Sequence, residues 1–360
     1  MTARLLIVGT GLIGTSVGLA LGAASEVALV DTDDEHVAVA VSRGAGHRWD
    51  GAPVEHAVLA LPPRLIAGEL ARLLEAGAAG TYSHVASSQS VLHADIESQG
   101  LDTTALCGSH PMAGRERSGP QAAASDLFAG RPWALCPSAA TSTVALARTR
   151  QLAVDCGADP VTLSAQEHDA AVALVSHLPQ VAASAVAAVL HGAARPGDDG
   201  LLRLAGPGLQ DTTRIAASDP ALWADVLRQN AAAVAPLVRS LAAELERTAQ
   251  ALQRLADGDP SAGQAVADLL ARGRAGRERV PVKHGEQDSA FALVAVTVTD
   301  RPGQLAGVLV SAADAGVNVE DVRVEHLPGR PRGVIELLVH ADARTEARRA
   351  LAAAGWDVLT

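Results

Sequence analysis

The segment RLLIVGTGLIGTS, residues 4–16, runs from apolar residues into Gly9-x-Gly11-x-x-Gly14 and then into helix-forming residues. That order reads as a buried strand, a tight glycine turn and a helix N-terminus. Glycine lets the turn close and lets a ligand approach the backbone. The first N–H groups of the helix, at Leu12, Ile13 and Gly14, lack intrahelical partners and lie at the positive end of the helix dipole, which suits a pyrophosphate. The next apolar run, EVALVD, ends at Asp31, 20 residues beyond Gly11. A carboxylate there can accept hydrogen bonds from both hydroxyls of a ribose. Gly9, Gly11, Leu12, Ile13, Gly14 and Asp31 are therefore expected to hold a dinucleotide, and the charge of Asp31 favours NAD over a 2′-phosphorylated NADP. The alternative is a glycine-rich turn with no ligand, and Asp33 or Asp34 could be solvated helix-start residues.

Further apolar runs occur at 56–61, 82–87, 105–109 and 132–137. Their hydrophobicity is continuous rather than alternating, as in strands buried on both faces of a parallel sheet. Helix-like segments at 12–24, 34–43 and 63–76 supply the crossovers, so residues 1–164 read as a doubly wound α/β domain of the Rossmann type. Beyond it come alanine-rich stretches at 165–192 and 219–256 with helical spacing. Residues 165–283 thus read as an all-helical domain whose helices can pack closely, including between subunits. The polar segment 272–289 has charge, Pro and Gly but little to bury, and reads as a connection. Residues 290–360 show βαββαβ order, with strands at 291–298, 317–326, 333–340 and 356–359, which implies a small ferredoxin-like sandwich.

The chain has 360 residues and a net charge of −11. Phosphate backbones need a basic face, so a nucleic-acid partner is not expected. Lys283 is the only lysine and lies in a polar stretch, which argues against a Schiff-base or Walker lysine. Three cysteines without a CxxC pair and 12 histidines without HExxH spacing suggest neither a disulfide framework nor a metal site. Glycines interrupt the N-terminal apolar run, which reads as mature structure rather than a leader. No other apolar run reaches roughly 20 residues without charge or a helix breaker, so no membrane span is expected. A cytoplasmic protein is the expectation.

The segment SHPMAGRERSG, residues 109–119, comes at the end of the fifth expected strand of the sheet. Ligands of open α/β sheets bind beyond the carboxyl ends of the strands. Oxidising an alcohol by hydride transfer requires removal of its hydroxyl proton, and histidine can take that proton at neutral pH. His110 is the candidate base; a purely structural His-Pro pair is the alternative.

Four separated motifs, VGTGLIGTSVGLAL, GSHPMAGRERSG, VSHLPQ and DTTRIAASDPALW, occur in an order and spacing that resemble the prephenate dehydrogenase family. With the C-terminal module, which resembles an ACT regulatory domain, they cover nearly the whole chain. The resemblance implies NAD-dependent oxidative decarboxylation of prephenate to 4-hydroxyphenylpyruvate in tyrosine biosynthesis, with His110 deprotonating the ring hydroxyl. It implies that Arg214 clamps a substrate carboxylate, unless it only pairs with Asp211 at a helix start. Ser87 is implied near the ring hydroxyl, Glu116 in setting charge and access, His177 in lining the pocket and Trp223 in packing nearby. Arg115 and Arg117 add positive charge for a dianionic substrate, or sit on an exposed rim. His177 and Trp223 could equally be ordinary helix and core residues.

The chain departs from the family at HVASSQ, where D-V-[GA]-S-x-K is usual, so His84 and Gln89 replace an acid and a base. In the C-terminal module, DRPGQLAGV and AGVNVEDV imply an effector site involving Asp300, Gly303 and Asn318, with tyrosine as the effector; a dimerisation module that binds nothing is the alternative. A homodimer is expected. Alternative functions are an arogenate or 4-amino-4-deoxyprephenate dehydrogenase, or a non-catalytic amino-acid sensor built on a degenerate dehydrogenase core.

Overall fold

The computed structural model describes residues 4–114, 117–193, 204–280, 290–326 and 331–359. The chain divides into two compact units, residues 1–249 and 250–360, with the division inside a long helix, Ala231–Ala256.

The first unit is built on one eight-stranded sheet. Its strands are β1 (Arg4–Val8), β2 (Glu26–Val30), β3 (His47–Arg48), β4 (Val54–Leu59), β5 (Ala79–His84), β6 (Leu106–Pro111), β7 (Pro132–Cys136) and β8 (Asp159–Thr162), in the order β3-β2-β1-β4-β5-β6-β7-β8. Successive side chains of a strand point to opposite faces. Leu5 and Ile7 accordingly enter one apolar core with Val17, Leu29 and Trp133, while Leu6 and Val8 enter another with Leu59, Ile66 and Leu70. Both faces are covered, by α1 (Leu12–Leu21), α2 (Asp34–Ser42), α3 (Pro63–Glu75), α4 (Ser90–Ser98) and α5 (Thr143–Asp155).

The sheet is not wholly parallel, as its apolar runs suggested. β6 and β7 are antiparallel, and β7 and β8 are parallel to each other. The reason is the connection: between Pro111 and Pro132 the described residues hold a single 3-10 turn, Pro120–Ala122, and no crossover helix. A parallel return needs such a crossover. β3 and β8 were also not expected from the sequence. β3 has two residues, too few for any periodicity, and β8 is a mostly exposed edge strand containing Pro160.

The helical part opens at Ser164, whose side chain and that of Glu167 form a reciprocal capping box on α6 (Ala165–Val172). A π-helical turn, Ala173–His177, follows, and α7 (Leu178–Ala193) continues the same axis. Pro179 has no N–H to offer the carbonyl one turn earlier, and the wider turn just before it absorbs that loss. The stretch Ala165–Gly192 is therefore one helix long and apolar enough to cross a membrane by length and composition. Pro179 lies inside this run, as expected of every such stretch, but it does not end the helix. Shorter elements follow: α8 (Pro207–Thr213), a 3-10 turn at Arg214–Ala217 and α9 (Pro220–Gln229). The expected helix at 219–256 is split at Asn230, before α10 (Ala231–Ala256).

The second unit contains α11 (Gly263–Glu278), which occupies part of the segment expected to be a connection. Its sheet has β9 (Phe291–Thr299), α12 (Gln304–Asp314), β10 (Val319–His326), β11 (Arg332–His340), α13 (Arg344–Ala353) and β12 (Asp357–Val358) in βαββαβ order. The strand order is β10-β11-β9-β12 with every described pairing antiparallel. Val294, Val296 and Val298 alternate inward from β9 to a core with Val308, Leu337 and Leu351. The alternation marks a sheet covered on one face.

His56 on β4 shows how polar groups are buried in this sheet. Its Nδ1 and Nε2 lie 2.9 Å from Thr81 Oγ1 and Ser83 Oγ on β5. Burial, with a smaller push from Arg148, lowers its pKa to about 3. Unfolding frees the ring to titrate near 6.5, so the unfolded state binds the extra proton first. Stability is full above that value and falls as pH drops toward 3. From pH 7 to pH 5 this one group should cost about 2 kcal/mol. Urea unfolding should show that His56→Gln, although less stable, loses correspondingly less stability over the same interval.

Candidate active site

The glycine turn joins β1 to α1 at the carboxyl edge of the sheet. Gly9 has φ +97°, and a Cβ there would lie 2.4 Å from the Ala60 carbonyl oxygen. A Cβ on Gly14 would come within 1.9 Å of the Gly9 oxygen. Gly11 differs: a Cβ there would meet nothing within 4 Å. The protein itself does not require glycine at that position, and the open space lies where a pyrophosphate must approach. Gly11 caps α1 without a side-chain hydrogen bond, and the first turn carries no acidic residue to compete with an anion. The side chains of Leu12 and Ile13 pack against the core, and their backbone amides lie in the first turn of α1, where they lack intrahelical partners.

Asp31 follows β2. Its Oδ2 accepts from Thr10 N at 2.6 Å and Thr10 Oγ1 at 3.1 Å, and its Oδ1 accepts from Asp33 N at 3.0 Å. Partial burial opposes ionisation, but the bonds from Asp33 and Thr10 outweigh it and hold the carboxyl below its usual range. A carboxylate has about four acceptor positions, and the fourth is met here only by a long 3.4 Å contact from Thr32 Oγ1, which a ribose hydroxyl can displace. Asp33 is committed elsewhere: its side chain caps α2 through Glu35 N and His36 N. Asp34 pairs with Arg48 at 2.6 Å. The residues present therefore fit an NAD-type dinucleotide.

His110 belongs to β6 itself rather than to the loop after it, so its ring is fixed by the sheet. It is partly buried, and its Nδ1 lies 2.9 Å from Nε2 of His168. Behind that contact, His168 Nδ1 lies 2.9 Å from Asp169 Oδ1. Asp169 Oδ1 also accepts from Gln89 N at 2.9 Å, and its Oδ2 accepts from Ser90 N at 2.8 Å, the first residue of α4. Burial works against the Asp169 carboxylate, but bonds to His168, Ser90 and Gln89 hold its pKa down. Asn230 closes the cluster by donating from Nδ2 to the Asp169 carbonyl at 2.8 Å and to His177 Nδ1 at 3.1 Å.

Burial first, then His168 and His177, lowers the pKa of His110 to about 3, although Asp169 acts the other way. At neutral pH the ring is therefore uncharged. His177 lies in the π-helical turn, with Trp223 against it edge-on at a ring separation of 6.0 Å. Three residues along, Gln180 Nε2 donates to the Ile215 carbonyl at 3.0 Å, which ties the turn carrying Arg214 to the helix carrying His177. Arg214 and Asp211 are exposed.

Ser87 lies between β5 and α4, partly exposed, and no hydrogen bond to its hydroxyl is made among the described residues. Arg115 and Glu116 lie outside the described residues; Arg117 is exposed. The unusual His84 and Gln89 are both buried. His84 accepts from Ala86 N through Nδ1, and Gln89 donates to the Ala86 and Ser109 carbonyls. His84 Nε2 and Gln89 Oε1 have no partner among the described residues. In the second unit, Gly303 has φ +89° and caps α12, while Asn318 donates to Glu320. Asp300 follows β9 and is exposed. Among the described residues no group of three or more His, Cys, Asp or Glu is arranged to hold a metal ion.

The residues that sequence reasoning missed are His168, Asp169 and Asn230. The capping box just before the adjacent His-Asp pair was a usable local signal. Asn230 had none, because its partners are 61 and 53 residues away.

A glycine turn on β1, an anchored acid on β2 and a neutral histidine on β6 define an oxidoreductase site of the dinucleotide-dependent class. Residues 18–162 match the family description "Prephenate dehydrogenase, nucleotide-binding domain", and residues 164–261 match "Prephenate dehydrogenase, dimerization domain". The chain is 37% identical to the probable prephenate dehydrogenase NovF of Streptomyces niveus over 93% of each chain. It resembles the crystal structure of prephenate dehydrogenase from A. aeolicus in complex with hydroxyphenyl propionate and NAD+, at TM-score 0.66 and 25% identity, over 77% of this chain and 98% of that one. Synechocystis arogenate dehydrogenase is similar at TM-score 0.61 and 25% identity, over 77% of this chain and 99% of that one. The chain belongs to the prephenate dehydrogenase family.

The glycine geometry separates folding from binding. Gly14→Ala should destabilise the protein by roughly 1–3 kcal/mol, because backbone must move to admit the methyl group. Gly11→Ala should leave thermal unfolding nearly unchanged yet weaken NAD+ binding at least tenfold in a calorimetric titration.

Proposed function

We propose that the chain catalyses NAD-dependent oxidative decarboxylation of prephenate to 4-hydroxyphenylpyruvate, CO2 and NADH. The observation that carries this reading is His110: a neutral imidazole held by the strand in the same unit as the dinucleotide turn. Family membership and likeness to a prephenate dehydrogenase complex with hydroxyphenyl propionate and NAD+ support it. NAD+, bound at the glycine turn, would supply the hydride acceptor.

His110 Nε2 takes the proton of the ring hydroxyl as the carbon that bears it is oxidised. Loss of the ring carboxylate as CO2 then sends its electron pair through the ring to the oxygen, and aromatisation drives the step. The phenolate formed takes the proton back from His110, so the base ends as it began. Arg214 is assigned to a substrate carboxylate, where its planar fork can bind bidentately. Ser87, whose hydroxyl is unengaged among the described residues, is assigned to the ring oxygen, and His177 with Trp223 to the pocket wall. Asp211, Arg115 and Glu116 are assigned to the charge around the dianion.

We further propose that the βαββαβ unit is an ACT domain that binds tyrosine near Asp300, Gly303 and Asn318, and that the protein acts as a homodimer in the cytoplasm. The residue pattern DRPGQLAGV and the left-handed Gly303 at the start of α12 support the effector site. The similarity to an arogenate dehydrogenase makes arogenate the second substrate to test.

Purified protein with NAD+ should reduce the cofactor on addition of prephenate faster than on addition of arogenate or 4-amino-4-deoxyprephenate. Turnover of none of the three would refute the enzymatic reading. His110→Asn should lower kcat by about 10²- to 10⁴-fold while substrate affinity stays within threefold. Arg214→Gln should instead raise KM by roughly 10- to 100-fold, the loss of a charge-assisted bidentate contact.

A further inference from the structure

The hydrogen bonds behind His110 fix where its protons are. Backbone amides can only donate, so the bonds from Gln89 N and Ser90 N define both Asp169 oxygens as acceptors. The ring nitrogen of His168 facing Asp169 Oδ1 must then carry a hydrogen, which makes it Nδ1–H. A neutral His168 with that hydrogen has a bare Nε2, and the nitrogen 2.9 Å from it, His110 Nδ1, must supply the hydrogen between them. His110 is left with a bare Nε2, the nitrogen that no described residue engages. Two backbone amides thus determine, through three side chains, that the outermost ring presents a lone pair.

From this geometry we infer that His168 and Asp169 form a proton relay behind His110, an inference that rests on the dehydrogenase reading of the site. When the substrate O–H bond breaks, a new N–H bond forms at His110 Nε2. The His110 Nδ1–H bond breaks in turn, and an N–H bond forms at His168 Nε2. The positive charge comes to rest on His168, whose Nδ1–H faces the Asp169 carboxylate. No electrons change hands in the relay, and both transfers reverse when the phenolate takes its proton back. His110 is the catalytic base; His168 and Asp169 are positioning and relay residues, which do not touch the substrate.

The surroundings favour this division. His168 is 1% exposed, and a cation there has one carboxylate in direct contact. The other titratable groups that act on it are the rings of His110 on β6, His84 on β5, His93 on α4 and His177 in the π-helical turn. Burial keeps His84 neutral down to about pH 3 and lowers the pKa of His93 and His177. Asp169 is therefore a counter-charge in direct contact with the inner ring, whereas among the described residues no carboxylate touches His110.

The test combines one spectrum of the wild-type protein with one variant. ¹⁵N-resolved histidine spectra at pH 7 should show hydrogen on His110 Nδ1 and none on Nε2; the opposite tautomer overturns the relay. His168→Gln can still accept the His110 Nδ1–H bond but cannot take up a proton. Its kcat for prephenate should fall roughly 10²-fold with KM within threefold. The acidic limb of kcat/KM should also move to lower pH, because a proton taken up at Nε2 then leaves its charge on His110, away from the Asp169 carboxylate. Unchanged kcat and an unmoved limb in His168→Gln overturn the relay while the dehydrogenase reading stands. If the wild-type protein turns over no substrate, the functional reading fails, and the tautomer spectrum still decides the hydrogen-bond chain.

Discussion

The Asp169 carboxylate is the interaction on which the site depends. It accepts from the first amides of α4, from His168 and, through its own backbone carbonyl, serves Asn230. One residue therefore joins the helix that follows β5, the start of α6 and the end of α9. An ionised group buried among fixed donors is costly to remove, because each donor would be left without a partner. The charge also lies at a helix N-terminus, where the dipole favours it. Stability and proton chemistry are thus set by the same contacts.

The dinucleotide edge uses a different constraint, exclusion of side-chain volume. Gly9 and Gly14 lie so close to neighbouring backbone that no Cβ fits, and these approaches hold the β1 turn against the strand beside it. Gly11 is glycine with no neighbour to demand it, which makes it the position shaped for something other than the protein. Thr10 and Asp33 then lock the Asp31 carboxylate, so its direction is set before a ribose arrives. Preorganisation of this kind lowers the cost of ordering the site on binding.

Much of this was legible in local patterns. The fingerprint, the acid at the end of β2 and the βαββαβ order are local in sequence, and each leaves a spacing that can be read directly. His110 was identified through its motif, but its place within β6 was not, since a His-Pro pair looks like a strand exit. Apolar runs carry no direction, so the reversal of β7 and β8 was invisible until the missing crossover between 111 and 132 was seen. The helix Gly263–Glu278 was hidden by its arginines and glycines, and the continuity of Ala165–Gly192 by Pro179. The relay was the least accessible feature. His110 and His168 are 58 residues apart and Gln89 and Asp169 are 80 apart, and such distances leave no periodic trace.

The central claim is that His110 Nε2 faces the oxygen that gives up its proton. The most direct measurement is a crystal structure of this protein with NAD+ and hydroxyphenyl propionate. The phenol oxygen should lie within roughly 2.6–3.2 Å of His110 Nε2, with the ligand carboxylate toward Arg214. A phenol oxygen held by other groups, with His110 Nε2 turned away from it, would contradict the account.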